Sequence, residues 1–562
     1  MNDIRRSILW VVFGFSMVLI WDKWQIHNGQ KPTFFPSSAV TAQPPAAAAK
    51  PAGASLPAAS GSAALPTDAA APAGAPAPVA VRVDASTDVL KLTFNSEGGS
   101  LIGAQLLKHA STHLGTSPIE LLTQTDTHTY IAQTGLIGGS FPTHKTPMAL
   151  VAGPTTLADG QNELNVRFES ADVGGVKLVK TYTLTRGSYV IGVSHEVRNT
   201  GAQPVTPQLY LQLVRDGAKG SSETPFYSTF TGPAVYTSAQ KYQKVEFADI
   251  DKDKASFEKT ATDGYVAMVQ HYFASAWLLA DGVARDNFAR KVDTTLYSAG
   301  SITTLPAVAP GLSQKLDARL FIGPQEEKVL ETIAPGLELV KDYGWLTILA
   351  KPLYWLLEKI HSFVANWGWS IVLLVVMLKA AFYWLNASAY RSMAKMKAIN
   401  PRIMEMRERL KSNPQQMQQE MMKIYREEKV NPLGGCFPIM IQIPVFIALY
   451  WVLLSSVEMR NAPWMAWITD LSSPDPFFVL PVVMAVTTMI QTALNPLPPD
   501  PLQAKMMWLM PLAFSVMFFF FPAGLVLYWI TNNVLTIAQQ SFINKRMGVP
   551  LKFTMPFDLF KK

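Results

Sequence analysis

Cysteine is nearly absent from the 562-residue chain: Cys436 is its sole thiol, which excludes an intramolecular disulfide and any Cys-rich metal site. No cysteine follows the first apolar stretch, so an N-terminal lipoprotein is excluded as well. Cys436 itself reads as a small packing residue. Charge is scarce too. Asp, Glu, Lys and Arg make up 16% of the residues and hydrophobic types 49%, whereas roughly a quarter of an ordinary soluble protein is charged. That deficit points to lipid contact. No P-loop, metal-ligand cluster or nucleophile constellation is visible, so no catalytic residue, metal or cofactor is expected. The net charge of +7 does not force nucleic-acid binding, and no sequence-specific nucleic-acid partner is expected.

The apolar residues gather at the extreme N-terminus and after residue 345. Arg5 and Arg6 precede an apolar run from Ile8 to Trp21, flanked by Trp10, Trp21 and Trp24. Basic-then-apolar fits a signal peptide or an anchor, and the small-x-small triplets beyond leave cleavage open. The aromatic belt favours an uncleaved anchor over residues 1–24 with a cytoplasmic N-terminus. Residues 25–80, rich in Ala and Pro, read as a semi-rigid unfolded linker. From 81 to 340 the pattern turns to period two: Leu164, Val166 and Phe168, then Tyr189, Ile191 and Val193, then Leu209, Leu211 and Leu213 alternate with other residues. Strands of this kind between Gly, Asn and Pro turns predict a large antiparallel β-sandwich. Lying between two membrane segments, it belongs on the side away from the cytoplasm.

Residues 345–363 carry Leu346, Leu349, Leu353, Leu356 and Ile360 at steps of three and four, an amphipathic helix suited to the membrane interface or to capping the sandwich. Five apolar segments follow, at 369–385, 434–455, 477–493, 506–521 and 523–541. Some are shorter than the ~20 residues that cross an average bilayer. With the anchor they make six transmembrane helices, five of them a core. The fold class is thus an α-helical membrane protein bearing a β-sandwich.

Basic residues set the orientation. Ten Lys/Arg lie between 386 and 431, from Arg391 to Lys429, and the 542–562 tail adds Lys545, Arg546, Lys552, Lys561 and Lys562; the 456–476 loop has only Arg460. The positive-inside rule places the 386–431 loop and both termini in the cytoplasm. That loop reads as a helical hairpin, with Asn400-Pro401 and Asn413-Pro414 as helix starts or kinks. Ile403, Met406 and Leu410 face Met417, Met421 and Ile424 as apolar stripes. The methionines there fit a helix seam or an adaptable apolar surface.

Topology converts residue number into depth. Lys379 lies roughly 9 Å, and Gln442 about 12 Å, from the cytoplasmic end of its span. Ser515, Thr487, Thr488, Thr531, Asn532 and Asn533 fall near mid-depth, while the outer halves are almost wholly apolar. This asymmetry describes a groove open inward rather than a pore, lined by Lys379, Gln442, Ser515, Thr531, Asn532 and Asn533. A lysine at a helix centre costs about 2.5–3.5 kcal/mol on insertion scales, so an idle one is disfavoured, although snorkelling is open to it. For the neutral polar residues, interhelical hydrogen bonding is the competing role.

Three runs then carry a family pattern: Ser392-Met393-Ala394-Lys395-Met396, the stretch from Glu427 to Pro438, and Phe521-Pro522-Ala523-Gly524-Leu525-Val526-Leu527-Tyr528-Trp529. They resemble the YidC/Oxa/Alb insertases, strongly over 345–545, and the whole layout resembles the Gram-negative type. The resemblance implies an inner-membrane insertase and chaperone, not an enzyme, with a periplasmic domain similar to sugar-binding sandwiches. Its partners would be nascent membrane proteins, the Sec translocon, the lipid bilayer and, through cytoplasmic loops and basic tail, the ribosome. The family's essential positive charge maps to Lys379, where many members carry Arg; Lys offers charge without a bidentate fork. Substrate contacts map to the helices containing Gln442, Ile443, Pro444, Phe446 and Met510, and Tyr528 matches a core aromatic. Asp216 and Glu246 read as structural or solvated. A solute transporter or a membrane-anchored carbohydrate-active or carbohydrate-binding protein is the alternative.

Overall fold

A computed structural model describes residues 80–111, 117–218, 229–410, 413–428, 437–495 and 501–548. The expected anchor over 1–24, nearly all of the linker, Cys436 and the tail beyond 548 lie outside them. The chain divides into two compact units, one mainly of strands up to Asp342 and one mainly of helices from Tyr343 onward.

The first unit is the antiparallel β-sandwich anticipated from the alternating pattern. Among the described residues eighteen strands, β1 (Arg82–Ser86) through β18 (Ser313–Pro324), form two nine-stranded sheets. One has the order β1-β2-β3-β4-β5-β10-β17-β16-β13 and the other β12-β11-β14-β15-β18-β9-β8-β7-β6. Leu164, Val166 and Phe168 of β7 (Glu163–Ser170), Ile191 and Val193 of β9 (Val190–Asn199) and Leu209, Leu211 and Leu213 of β10 (Gln208–Asp216) share one core. Period two thus selects the inward face, as the pleat requires. Strand β10 departs from simple alternation, because all nine of its residues are buried. Its second face is mixed: Val214 and Tyr210 join small apolar clusters, while Gln212 Nε2 donates to Gln133 Oε1 at 2.9 Å and Ser298 Oγ donates to Gln212 Oε1 at 3.0 Å.

A buried polar clasp joins the sheets. Lys180 on β8 (Val176–Thr185) donates from Nζ to the Gly98 and Thr134 carbonyls at 2.6 and 2.7 Å. Tyr182 donates to the Gly99 carbonyl, and His195 Nε2 lies 3.0 Å from Thr134 Oγ1. Burial holds the Lys180 amine down to about 7. Burial, with Lys180 beside it, pulls His195 down to about 3. Asp216 is structural, as expected: its carboxylate meets His128 Nδ1 and accepts from the Thr129 amide, both at 2.8 Å.

Among its described residues the first unit also contains two short helices, α1 (Phe247–Ile250) and α2 (Glu327–Ile333). The second contains α3 (Thr347–Val364), α4 (Trp367–Ala381), α5 (Tyr383–Arg409), α6 (Pro414–Glu427), α7 (Phe437–Ser455), α8 (Val479–Leu494), α9 (Pro501–Met517) and α10 (Ala523–Arg546). Helix α3 is amphipathic, but its buried stripe is Ala350, Tyr354, Leu357 and Ile360, about one position beyond the expected line. Trp345, Ile348, Trp355 and Phe363 are exposed. The apolar residues therefore wrap round both faces, and the packing side is chosen by Tyr354, whose hydroxyl donates to Glu458 at 2.6 Å.

Within the described residues of 386–431, α5 and α6 pack against each other as a helical hairpin. Asn413 caps α6 by accepting from the Gln416 amide, while Pro401 lies inside α5. Ile399, Ile403, Met406 and Ile424 form the seam, with Met396, Met417 and Met421 against it. Met404 and Met422 are exposed, so the methionines serve both seam and surface.

No single described helix is long and apolar enough by itself to cross a membrane. The expected 369–385 span is broken: α4 and α5 meet at Phe382 with a bend of 69°, and only as a pair do they have the length and composition to cross. The expected 506–521 span ends earlier as an α-helix, at Met517, and Phe518–Phe520 is a 3-10 turn. Pro522 then precedes α10 as its N-cap residue, where no intrahelical bond needs its missing N–H. Helix α10 runs to Arg546, past the expected end at 541, with polar residues spaced along it.

Candidate functional site

Four helices surround a cavity. Val375, Leu378 and Lys379 come from α4, Phe382 from the bend, Leu385 and Asn386 from α5, Gln442 and Val445 from α7, and Tyr528 and Asn532 from α10. Steps of three and four put each set on one helix face. The lining is mostly carbon, with one ammonium and three amides in it. Lys379 Nζ donates to Thr536 Oγ1 at 2.9 Å, and Gln442 Nε2 donates to Asn532 Oδ1 at 2.8 Å.

Helix α10 is the hub of this arrangement. Asn532 meets α7, Thr536 meets α4, and on another side Asn533 Nδ2 donates to Thr488 Oγ1 of α8 at 2.8 Å. Gln540 Nε2 reaches Asn495 Oδ1, just past α8, at 3.3 Å. A helix polar on several sides is stable here because each side finds a partner within the bundle.

Of the six residues expected to line a groove, Lys379, Gln442 and Asn532 meet at the cavity, joined by Tyr528. Ser515, Thr531 and Asn533 are not among its lining residues. Ser515 Oγ donates to the Pro511 carbonyl and Thr531 Oγ1 to the Leu527 carbonyl, one turn back on their own helices. Asn533 is buried against Thr487 and Thr488. Of these three, Asn533 makes the interhelical hydrogen bond of the competing role, whereas Ser515 and Thr531 bond only their own helices. Among the expected contact residues, Ile443 and Met510 are half-exposed. Phe446 instead packs inward, its ring 5.8 Å from Tyr528 and 4.6 Å edge-on from Trp529. Pro444 is partly buried within α7.

Two participants escaped the sequence reading. Asn386 was assigned to the hairpin; the helix bend at Phe382 turns it into the cavity. Thr536 lies one turn beyond Asn532, a spacing that signals the shared face.

The far end of α10 is closed by the 458–478 loop. Ala523 and Gly524 amides donate to the Ser473 and Leu471 carbonyls at 2.8 and 2.9 Å. Asp475, 1% exposed, accepts from Trp467 Nε1, Phe477 N and Leu480 N at 3.0, 3.0 and 2.7 Å. Asp470 accepts from Ser472 and Ser473.

Comparison with known proteins now decides the family. Residues 82–356 match the YidC periplasmic domain model, and residues 359–549 match the 60Kd inner membrane protein model. A membrane protein insertase YidC of Burkholderia ambifaria (strain MC40-6) is 56% identical over 548 residues, 97% of this chain and 99% of that one. The chain belongs to the YidC family of membrane protein insertases. The YidC insertase of Burkholderia vietnamiensis (strain G4 / LMG 22486) is 58% identical over 97% of this chain and 99% of its own length. A crystal structure of an active YidC insertase covers 82% of this chain and 93% of its own, at 17% identity and a TM-score of 0.37. The family placement agrees with the resemblance of the three sequence runs, and it makes the sandwich the periplasmic domain of an inner-membrane insertase.

Proposed function

We propose that the cavity around Lys379 is the groove through which this insertase passes hydrophobic segments of nascent membrane proteins from the cytoplasm into the bilayer. The observation that carries this reading is an ammonium set among amides in otherwise apolar walls between α4, α5, α7 and α10. Such a site lets a short acidic flank leave the cytoplasm while still partly hydrated and paired. At 5 Å and an effective dielectric of 20, the pairing is worth about 3 kcal/mol. The client's apolar segment meanwhile slides past Ile443 and Met510 into lipid, driven by about 25 cal/mol per Å² of buried apolar surface and without nucleotide.

In this reading six spans cross the membrane, the first over residues 1–24, with both termini and the α5–α6 hairpin in the cytoplasm. The basic run from Arg391 to Lys429 and Lys545-Arg546 support that orientation. The groove then opens inward, and the Asp470 and Asp475 loop seals the periplasmic end. The Sec translocon is a partner for larger clients, and the hairpin and basic tail meet the ribosome.

The test is insertion into proteoliposomes of a small single-span client in acidic-flanked and neutral-flanked forms. Lys379→Ala lowers insertion of the acidic form by about tenfold, one 1.4 kcal/mol step within that pairing energy, and Lys379→Arg restores it. Equal insertion of the acidic form by wild type and Lys379→Ala refutes the groove. Deleting residues 81–320 leaves insertion of the small client in place; its loss would move the function into the sandwich.

A further inference from the structure

We propose that Thr536 is a positioning residue for the Lys379 ammonium, holding the charge against α10 so that it faces the groove rather than reaching toward the membrane surface. The inference rests on the groove reading above and adds a residue to it.

A lysine carries its charge on four flexible carbons, and from the last turn of α4 such a stem is long enough to reach the interface by snorkelling. Something must offset that escape if the charge is to stay where a client passes. Thr536 Oγ1 lies 2.9 Å from Lys379 Nζ. Its own side chain is immobile: the residue is 4% exposed, sits mid-way along α10 and is β-branched, which restricts χ1 on a helix. Tyr390 of α5 lies beside the same hydroxyl, so a second helix flanks the acceptor. One of the ammonium's three N–H donors is thereby taken, and the remaining two are left to meet an acidic flank or water in the cavity. A guanidinium at the same position has five donors in a planar fork and is held by its own geometry. A lysine has no such fork and depends on its acceptor.

The experiment compares Thr536→Val, which keeps shape and removes the hydroxyl, with Thr536→Ser, which keeps the hydroxyl. Full-length protein in proteoliposomes inserts the acidic-flanked and neutral-flanked clients, in wild-type and Lys379→Ala backgrounds. Thr536→Val lowers insertion of the acidic form about fivefold, a loss of the size of one ordinary intramolecular hydrogen bond, and leaves the neutral form within twofold. Thr536→Ser restores the acidic form. In the Lys379→Ala background Thr536→Val has no further effect, because it acts through the ammonium. Equal losses for both clients, or a further loss on top of Lys379→Ala, would show a packing role and overturn the proposal. An effect of Lys379→Ala with none of Thr536→Val overturns the positioning alone, whereas no effect of Lys379→Ala overturns the groove reading beneath it.

Discussion

Raising the pH from 7 to 9 should stabilise the β-sandwich, and Lys180 is the reason. Its amine is fully buried between the sheets and bonded to two carbonyls, Gly98 and Thr134. A neutral amine has two N–H groups and satisfies both carbonyls, whereas the third proton of an ammonium has no described acceptor. Burial lowers the amine's affinity for that proton, from the ordinary 10.5 to about 7. The unfolded chain therefore binds a proton that the folded domain leaves off between those limits, so unfolding takes up a proton and stability rises with pH across that window. Below pH 7 both states are protonated and the contribution is flat. The full window of 3.5 pH units, at 1.36 kcal/mol each, spans about 5 kcal/mol, and the interval from pH 7 to 9 about 2 kcal/mol. For a domain of this size that is a rise of about 5 °C in Tm. Thermal unfolding of full-length protein in detergent, followed by near-ultraviolet circular dichroism, reads it. Lys180→Met removes the titrating group and strips both carbonyls of a donor, a cost of about 1–3 kcal/mol for each. It should melt lower and lose the rise between pH 7 and 9. Parallel pH profiles for wild type and Lys180→Met would refute the reasoning, because the slope would then belong to other groups.

Two further outcomes follow from buried polar and apolar anchors. Asp475→Ala removes an acceptor shared by Trp467, Phe477 and Leu480 and should lower stability by about 2–4 kcal/mol, measured as loss of hydrogen-exchange protection at the start of α8; unchanged protection there would show that the loop is held by something else. Ile403→Asp places an unpaired carboxylate in the α5–α6 seam and should speed exchange along Pro414–Glu427 while leaving protection of the α10 amides near Thr536 as in wild type; matched exchange in α6 would mean that the seam is not what holds the hairpin.

What was legible in the sequence depended on whether a residue answers to one element or to several. Phe168, Leu211 and Val193 answer to a single sheet and its pleat, so period two located the sandwich. Ile403 and Ile424 answer to one seam, so helical spacing located the hairpin. Gln212 was less legible, since its alternation with Leu211 and Leu213 marks it as polar but not as buried and paired with Gln133. The span at 369–385 misled because hydropathy carries no sign of the turn at Phe382, and that turn decides whether Asn386 belongs to a loop or to the cavity. Depth, inferred from residue number, placed Ser515 and Thr531 beside Lys379. A short hydroxyl on a helix has a nearer acceptor one turn back, and there the backbone prevails.

Helix α10 shows why depth alone could not separate groove from scaffold. Thr531, Asn532 and Asn533 are consecutive, and consecutive helical residues point about 100° apart. They therefore cannot all face one cavity. Asn532 takes the cavity side with Tyr528 and Thr536, at spacings of four, while Asn533 takes the α8 side with Gln540, seven positions on. The same polar run thus performs two jobs. One stripe offers hydrogen-bonding groups around Lys379, and the other fastens α10 to α8 so that the first stripe stays in place. On this division, loss of Asn533 would act through helix packing and impair acidic and neutral clients alike, whereas loss of Thr536 would be read only by clients that need the charge.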